Sequence, residues 1–273
     1  MFELNSIYTP ITALPGVRND AYSEIIPCIA LRPYIRCFWG TSGQIKNCEI
    51  PGRPVIPDTC MDMIFRVNDT KNTNTGRFCV IDERPYPSHV IHNSDMVSIF
   101  GIRFYAWSAV LFADGSLNHN EEDLNIDNLF YGFKTEFESI LWDCHTLEER
   151  IAAAEKILLR RFNWNKQNPH VMNGLFFMIT NHGNVKIADI SSYTGISQRS
   201  LERMFRETMG VSPKTIQSLI RYQLLWQDIY LHRQFDVFDA VLKYGYSDQA
   251  HLLNDFKRKH AMTPREALHF SLS

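Results

Sequence analysis

The spacing of apolar residues changes character twice along the chain, and each change marks a predicted boundary. Up to about residue 118 the apolar positions come in short runs broken by turn residues, the pattern of strands. VIPDTCMDMIFRV (55–67) mixes β-branched and apolar residues around a turn at Pro57-Asp58. DMVSIFGIRFYAW (95–107) alternates in part, which predicts Val97, Ile99, Ile102 and Phe104 inside. The polar, Gly-bearing VNDTKNTNTGRF (67–78) reads as a loop. From Asn120 to Phe162 the period lengthens. Leu147, Ile151, Ala154, Leu158 and Leu159 recur at helical spacing, with Glu148 and Glu149 at the start and Arg160 and Arg161 at the end. They predict an amphipathic helix capped by Thr146, with charges matched to its dipole. A second helical segment is predicted before it, over 124–142. NWNKQNPH (163–170), rich in Asn, breaks the period and supplies a linker, placed at 166–170.

Beyond the linker the helical pattern appears twice. DISSYTGISQRSLERMFRETMGVSP, from Asp189 to Pro213, is followed by DAVLKYGYSDQAHLLNDFKRKHAMTP, from Asp239 to Pro264. Gly195 and Gly245 are 50 residues apart, whereas Ser197/Asp248, Leu201/Leu252, Phe205/Phe256 and Pro213/Pro264 are each 51 apart, so the second turn holds one extra residue. A repeated helix, Gly turn and helix is a device for placing two helices in successive DNA major grooves. Ser197 and Asp248 are the predicted N-caps, and Leu201, Met204, Phe205, Leu252 and Phe256 the cores. Gln198, Arg199, Glu202 and Arg203 are left on the outer face of the first unit. Gln249, Ala250, His251, Leu253 and Asn254 are left on that of the second. These types read base edges: Arg pairs with guanine and Gln or Asn with adenine. Arg206, Lys214, Lys257, Arg258 and also Lys259 are expected at phosphates. Between the units Ile216, Leu219, Ile220, Leu224 and Trp226 predict a linking helix over 214–231, about 27 Å long at ~1.5 Å per residue. The fold class is therefore α+β: an N-terminal β-barrel or cupin-like domain ending in helices at about 120–162 (1–165), then an all-α domain (171–273). The helix-turn-helix units fall at about 186–209 and 236–260.

Charge supports that division. The net charge of −2 conceals 12 Lys+Arg against 9 Asp+Glu from Val171 onward, and 16 against 21 before it. A basic C-terminal third suits a phosphate-contacting module, and an acidic N-terminal part argues against DNA contact there. No apolar run approaches the ~18–20 residues of a membrane span, and no export signal is read at the N-terminus. A cytoplasmic protein without a membrane partner is expected. The six cysteines, at 28, 37, 48, 60, 79 and 144, include no CxxC pair and are expected as reduced core thiols, not metal ligands.

GISQRSLERMFRETMGVSP, Arg221 and GYSDQAHLLNDFKRKHAMTP together resemble the C-terminal domain of AraC/XylS-type transcriptional regulators, over roughly Val171 to Phe270. The resemblance implies two units joined by a long helix, an N-terminal domain that senses an effector or dimerises, and activation over repression. Ser191 and Val241 stand where that family usually has Ala, Leu225 replaces a small residue, and Ala261 replaces the usual Gly. Val241 is expected to alter packing in the second unit. LRPYIRCFWG (31–40), VIPDTCMDMIF (55–65) and GIRFYAW (101–107) are similar to an N-terminal domain of a subset of these regulators. The expected partners are double-stranded DNA, RNA polymerase, a small-molecule effector and a second copy of the chain. The apolar stripe of the 146–162 helix is the candidate dimer surface. Alternatives are a constitutive regulator whose N-terminal domain only dimerises, or an N-terminal ligand-binding or enzymatic module.

Other chemistry is thin. His89 and His92 form HxxH without the further ligands a metal needs. Asp58 and Asp62 could act as paired carboxylates, but a turn former at 58 and a structural hydrogen-bond acceptor at a strand start at 62 are the favoured reading. Arg103, inside an apolar strand, requires a partner, either Asp62 or Asp58 or an anionic ligand. Trp39, Asp62, Phe65, Arg103, Phe104 and Trp107 form the candidate effector pocket, and the aromatics among them equally suit a barrel core. No P-loop, GxGxxG or GxSxG motif occurs. No cofactor, no metal and no enzymatic activity are expected.

Overall fold

The computed structural model describes residues 3–12, 22–41, 55–68, 70–71, 73–85, 96–117, 123–124, 126–233 and 235–272. After a short helix α1 (Leu4–Ile7), six strands follow: β1 (Tyr22–Ile25), β2 (Ile35–Thr41), β3 (Cys60–Asn68), β4 (Thr73–Cys79), β5 (Val97–Tyr105) and β6 (Asp123–Leu124). They form one antiparallel sheet in the order β1-β2-β5-β3-β4-β6. Alternation assigns its faces. Phe38, Met61, Met63, Phe65, Val67, Phe78, Phe100, Ile102 and Phe104 point to one side and are buried. There they meet α2 (Ile126–Leu129), α3 (Tyr131–Leu141) and α4 (Leu147–Arg161). Phe65 lies 4.9 Å from Phe137 and Phe78 4.7 Å from Phe130, ring centre to ring centre.

Two expectations fail here. Residues 73–78 are not loop but strand. TNTGRFC is polar because one of its faces is solvated, and its backbone pairs with β3 from Asp62↔Cys79 to Asn68↔Thr73. Ile99 does not share a side with Phe100, Ile102 and Phe104, since it is out of step with Ile102 and Phe104 in a two-residue repeat. It opposes Arg66 on β3.

Thr146 caps α4 in a capping box, its side chain accepting from the Glu149 amide at 3.2 Å while the Glu149 carboxylate accepts from the Thr146 amide at 3.1 Å. Such a cap stabilises by about 1 kcal/mol. The stripe expected for dimerisation is used inside the chain: Leu147, Ile151, Ala154, Ile157 and Leu158 are buried in the core and Leu159 is exposed. The expected linker is short. Lys166 ends a 3₁₀ turn and bonds the Ala113 carbonyl, and Asn168 already caps α5 (Pro169–Thr180).

Six further helices complete the chain: α6 (Ile187–Thr194), α7 (Gln198–Met209), α8 (Pro213–His232), α9 (Val237–Tyr244), α10 (Gln249–His260) and α11 (Pro264–Leu272). The core that begins on the sheet runs on through α5 and α7 to Ile216, Leu219 and Ile220 of α8. A second core joins Tyr222, Leu225, Trp226 and Ile229 of α8 to Leu252 and Phe256 of α10, and takes in Ile56 from the strand-rich part. Gln223, fully buried, fastens this junction. Its Oε1 accepts from the Ile11 amide at 2.9 Å, and its Nε2 donates to the carbonyls of Ile11 at 3.2 Å and Pro57 at 2.9 Å. Gln227 adds a bond to the Thr9 carbonyl at 2.6 Å.

Candidate nucleic-acid interface

Each of the two units is a helix, a left-handed residue, a cap and a second helix. Gly195 ends α6 with φ +70° and Gly245 ends α9 with φ +65°, a conformation glycine adopts without a Cβ penalty. Ser191, where the resembling family has Ala, donates its hydroxyl to the Ile196 carbonyl and tightens the first turn. Ser197 then accepts from the Ser200 amide at 3.2 Å, and Asp248 from the His251 amide at 2.8 Å. The Asp248 carboxyl is held below its ordinary range by that amide, helped by Ser247. The extra residue of the second turn is visible as Tyr246-Ser247 standing where the first has Ile196 alone.

Burial fixes which face of each second helix is free. Leu201, Phe205, Thr208 and Met209 anchor α7, while Gln198, Arg199, Arg203 and Arg206 are exposed and Glu202 half-buried. Arg206 pairs with Glu202 at 2.9 Å and Arg203 with Glu207 at 3.1 Å. On α10 Leu252, Asp255, Phe256, Lys259 and His260 face inward, and Gln249, Ala250, His251, Leu253, Asn254, Lys257 and Arg258 face solvent. Lys214 is exposed at the start of α8. That helix is 20 residues long, one more at either end than the sequence predicts, hence about 30 Å.

Lys259 is not a phosphate ligand. Its ammonium is wholly buried and donates to Asp255 at 2.5 Å and Ser218 at 2.9 Å. Tyr246 at 3.0 Å and Arg258 at 2.9 Å complete the circle around Asp255. Burial alone would raise the Asp255 carboxyl, but Lys259 and the hydrogen bonds outweigh it and hold it low. His260 is driven down to about 4 by burial, so its ring is neutral near pH 7 against the Tyr222 hydroxyl at 2.7 Å. Val241 is accommodated at the edge of this second core and Leu225 lies within it.

The candidate effector residues divide between places. Trp39, Asp62 and Arg103 share the sheet face opposite the helices. Cross-strand register sets Asp62 against Arg103, whose Nε and Nη2 bond the carboxylate at 2.9 and 3.1 Å, while Nη1 reaches Glu24 at 3.4 Å. The Trp39 indole donates to Asp62 at 2.8 Å and lies across Gly101, where any Cβ would strike the ring. Phe65 and Phe104 are on the other face, Phe65 against Phe133 and Phe137 of α3 and Phe104 against Phe130 at its N-cap, and cannot join this group. Trp107 lies past the end of β5, stacked on Tyr105 and donating to Pro33 at 3.3 Å. Asp58 serves as a turn former, accepting from the Cys60 amide at 2.6 Å, and burial raises it to about 6. Glu24 is the member of the cluster that sequence reasoning missed; only the β1–β2 register brings it opposite Trp39. His89, His92 and Cys48 lie outside the described residues. Among the described residues no group of three His, Cys, Asp or Glu could hold a metal ion, and no helix is long and apolar enough to cross a membrane.

Comparison with known proteins adds the following. Residues 190–269 match the family model described as a helix-turn-helix domain, and residues 23–124 match a domain of unknown function (DUF6597). No curated protein matches. Similar solved structures include a transcriptional regulator with an AraC-type DNA-binding domain from Chromobacterium violaceum, at 24% identity, covering 38% of this chain and 92% of that one, with TM-score 0.34. A probable AraC family transcriptional regulator from Rhodopseudomonas palustris gives 23%, 38%, 98% and 0.34. ToxT from Vibrio cholerae gives 11% identity over 93% of this chain and 99% of its own, with TM-score 0.40.

Proposed function

We propose, from the premise that residues 190–269 are an AraC-type helix-turn-helix domain carried behind an N-terminal β-sheet domain, that this DNA-binding transcription regulator is a sequence-specific activator reading two adjacent major grooves. α7 enters one groove and α10 the next. The observation that carries this reading is the repetition itself: two capped units, each with a solvated face of base-reading types, on either side of a helix about 30 Å long. Successive major grooves on one face of B-DNA lie about 34 Å apart. Arg206, Lys214, Lys257 and Arg258 hold the register through phosphates. Arg206 must release or share its exposed partner Glu202 to do so, a cost of only about 0.3–0.5 kcal/mol for a helix-surface pair, whereas the partner of Arg258 is the buried Asp255.

Control by a small-molecule effector in residues 1–165 is the finer part of the proposal. Its support is the resemblance of segments 31–40, 55–65 and 101–107 to an N-terminal domain of such regulators, since Arg103 is already paired with Asp62 and Glu24. The test is a salt-dependent binding titration of the whole chain on DNA from upstream of its own coding region, against scrambled DNA. Tight binding to the upstream DNA alone, falling steeply with salt, is expected. Equal and weak binding to both DNAs at every salt, with and without added cell metabolites, overturns it.

A further inference from the structure

The 51-residue repeat lets the two groove-facing stripes be laid over each other side chain by side chain. On α7 the solvated stripe at i, i+3, i+4 and i+7 is Arg199, Glu202, Arg203 and Arg206. On α10 the same stripe is Ala250, Leu253, Asn254 and Lys257. The outer positions agree in chemistry: Gln198 matches Gln249 at the start, and Arg206 matches Lys257 at the end. The three between them do not. The first unit offers two guanidinium groups and a carboxylate, whereas the second offers a methyl, an isobutyl group and an amide. Leu253 is 36% exposed on this face, beside the exposed Ala250, although Leu252 and Phe256 of the same helix are buried.

We infer that the two half-sites differ in base composition: a G·C-rich one under α7 and a thymine-bearing, A·T-rich one under α10. The inference rests on the regulator reading above and deepens it. Guanine presents O6 and N7 as a pair of acceptors that suits Arg199 and Arg203, and the cytosine N4 amine suits the Glu202 carboxylate. Neither Ala250 nor Leu253 can satisfy such groups, so a G·C pair beneath them would lose water from its polar edge without a replacement bond. Thymine carries a 5-methyl group in the major groove, the one apolar feature a base pair shows there, and adenine N6/N7 is the bidentate partner of Asn254. The chain therefore has one orientation on its DNA even as a monomer. A palindromic site, which suits two identical reading helices, does not suit this pair.

The experiment starts with selection by the whole chain from a pool of random duplexes, followed by sequencing. The expected product is a two-part site, G·C-rich in one half and A·T-rich in the other. Uracil, which is thymine without its methyl, is then substituted in each half in turn. Replacement in the A·T half is expected to weaken binding about fourfold per methyl contacted, and replacement in the other half to leave it unchanged. Leu253→Ala is expected to abolish part of that uracil sensitivity. The triple variant Ala250→Arg, Leu253→Glu, Asn254→Arg is expected to select G·C in both halves. Specific binding without uracil sensitivity, or a selected site G·C-rich in both halves with the unaltered chain, overturns the inference and leaves the regulator reading standing. No enriched sequence at all overturns both.

Discussion

Replacing Asp255 by leucine removes the counter-charge from a lysine ammonium that water does not reach. Lys259 is 0% exposed and Asp255 6%, with 2.5 Å between Nζ and Oδ1. In the variant Lys259 keeps one hydrogen bond, to Ser218 Oγ, and the Tyr246 hydroxyl loses its acceptor. Breaking a buried pair on one side costs about 3–5 kcal/mol, because the remaining charge is left uncompensated. That is a large part of the roughly 5–15 kcal/mol by which folded domains are stable. The double variant Asp255→Leu, Lys259→Met removes both charges and fills the volume with apolar atoms, and such replacements are neutral or stabilising. Urea denaturation at pH 7 followed by far-UV circular dichroism therefore ranks the three proteins: single variant lowest, wild type and double variant close together. pH supplies an independent check. Because Asp255 is held below its ordinary value, its stabilisation is present above that value and lost as pH falls through the folded one. Acid should thus bring the wild type toward the single variant. A single variant within about 1 kcal/mol of wild type, or a double variant as unstable as the single one, would refute the account.

Ala261 ends α10 at φ +61°, where α7 ends at Gly210, so Ala261→Gly should relieve strain of about 1 kcal/mol and raise the thermal midpoint. A lower midpoint would show that the αL conformation is not strained there. Asp58, raised to about 6 by burial, favours the fold while protonated and loses that contribution as pH rises through about 6. Asp58→Asn, which can still accept from Cys60, should gain thermal stability relative to wild type at pH 8 and little at pH 4. Arg203→Ala should cost ~1–3 kcal/mol on the selected DNA and relax preference at one base pair, whereas Lys257→Ala should weaken every sequence alike and flatten the salt slope. Equal losses on all sequences for both variants would refute the division into base and phosphate contacts. Gly101→Ala should displace Trp39 from its bond to Asp62 and shift tryptophan fluorescence, since a Cβ at 101 runs into the indole. An unchanged spectrum would mean the ring is not seated on Gly101.

The C-terminal helical third was legible because its signals are local. A cap, a left-handed glycine and a 3.6-residue core period each act within a turn of helix, and repetition removes the ambiguity that one copy leaves. Lys259 was legible only in part. In KRK the three charges look alike as residue types; Lys259 falls at i+7 from Leu252 on the inward stripe, and its contacts to Ser218, 41 residues upstream, and to the Asp255–Tyr246 pair give the buried charge its partners. In the strand-rich part the failures have two origins. TNTGRFC is too polar to announce a strand, yet pairing with β3 makes it one. Aromatic character alone puts Phe65 and Phe104 in a pocket with Asp62 and Arg103, although they stand three residues and one residue from them, and residues an odd number apart on a regular strand face opposite sides. Period-two counting alone would have split that group. Glu24 and Gln223 could not be found this way, since their partners are chosen by register and by chain folding over long separations.

The buried carboxamide of Gln223 imposes a waiting time on biosynthesis. Its partners Ile11 and Pro57 leave the ribosome 212 and 166 residues before it does. At about 5–20 residues per second that is roughly 10–40 s for the earlier partner. Throughout this interval the chain from Thr9 to Thr12 and the apolar Ile56 have no α8 to lie on. The second DNA-reading unit meets the opposite situation. It emerges after Ile56, with which Tyr222 and Trp226 share its core. A polypeptide cut at the boundary between the two parts would present the Gln223 side of α8 to water, with an amide and an apolar seat shaped for residues it no longer carries.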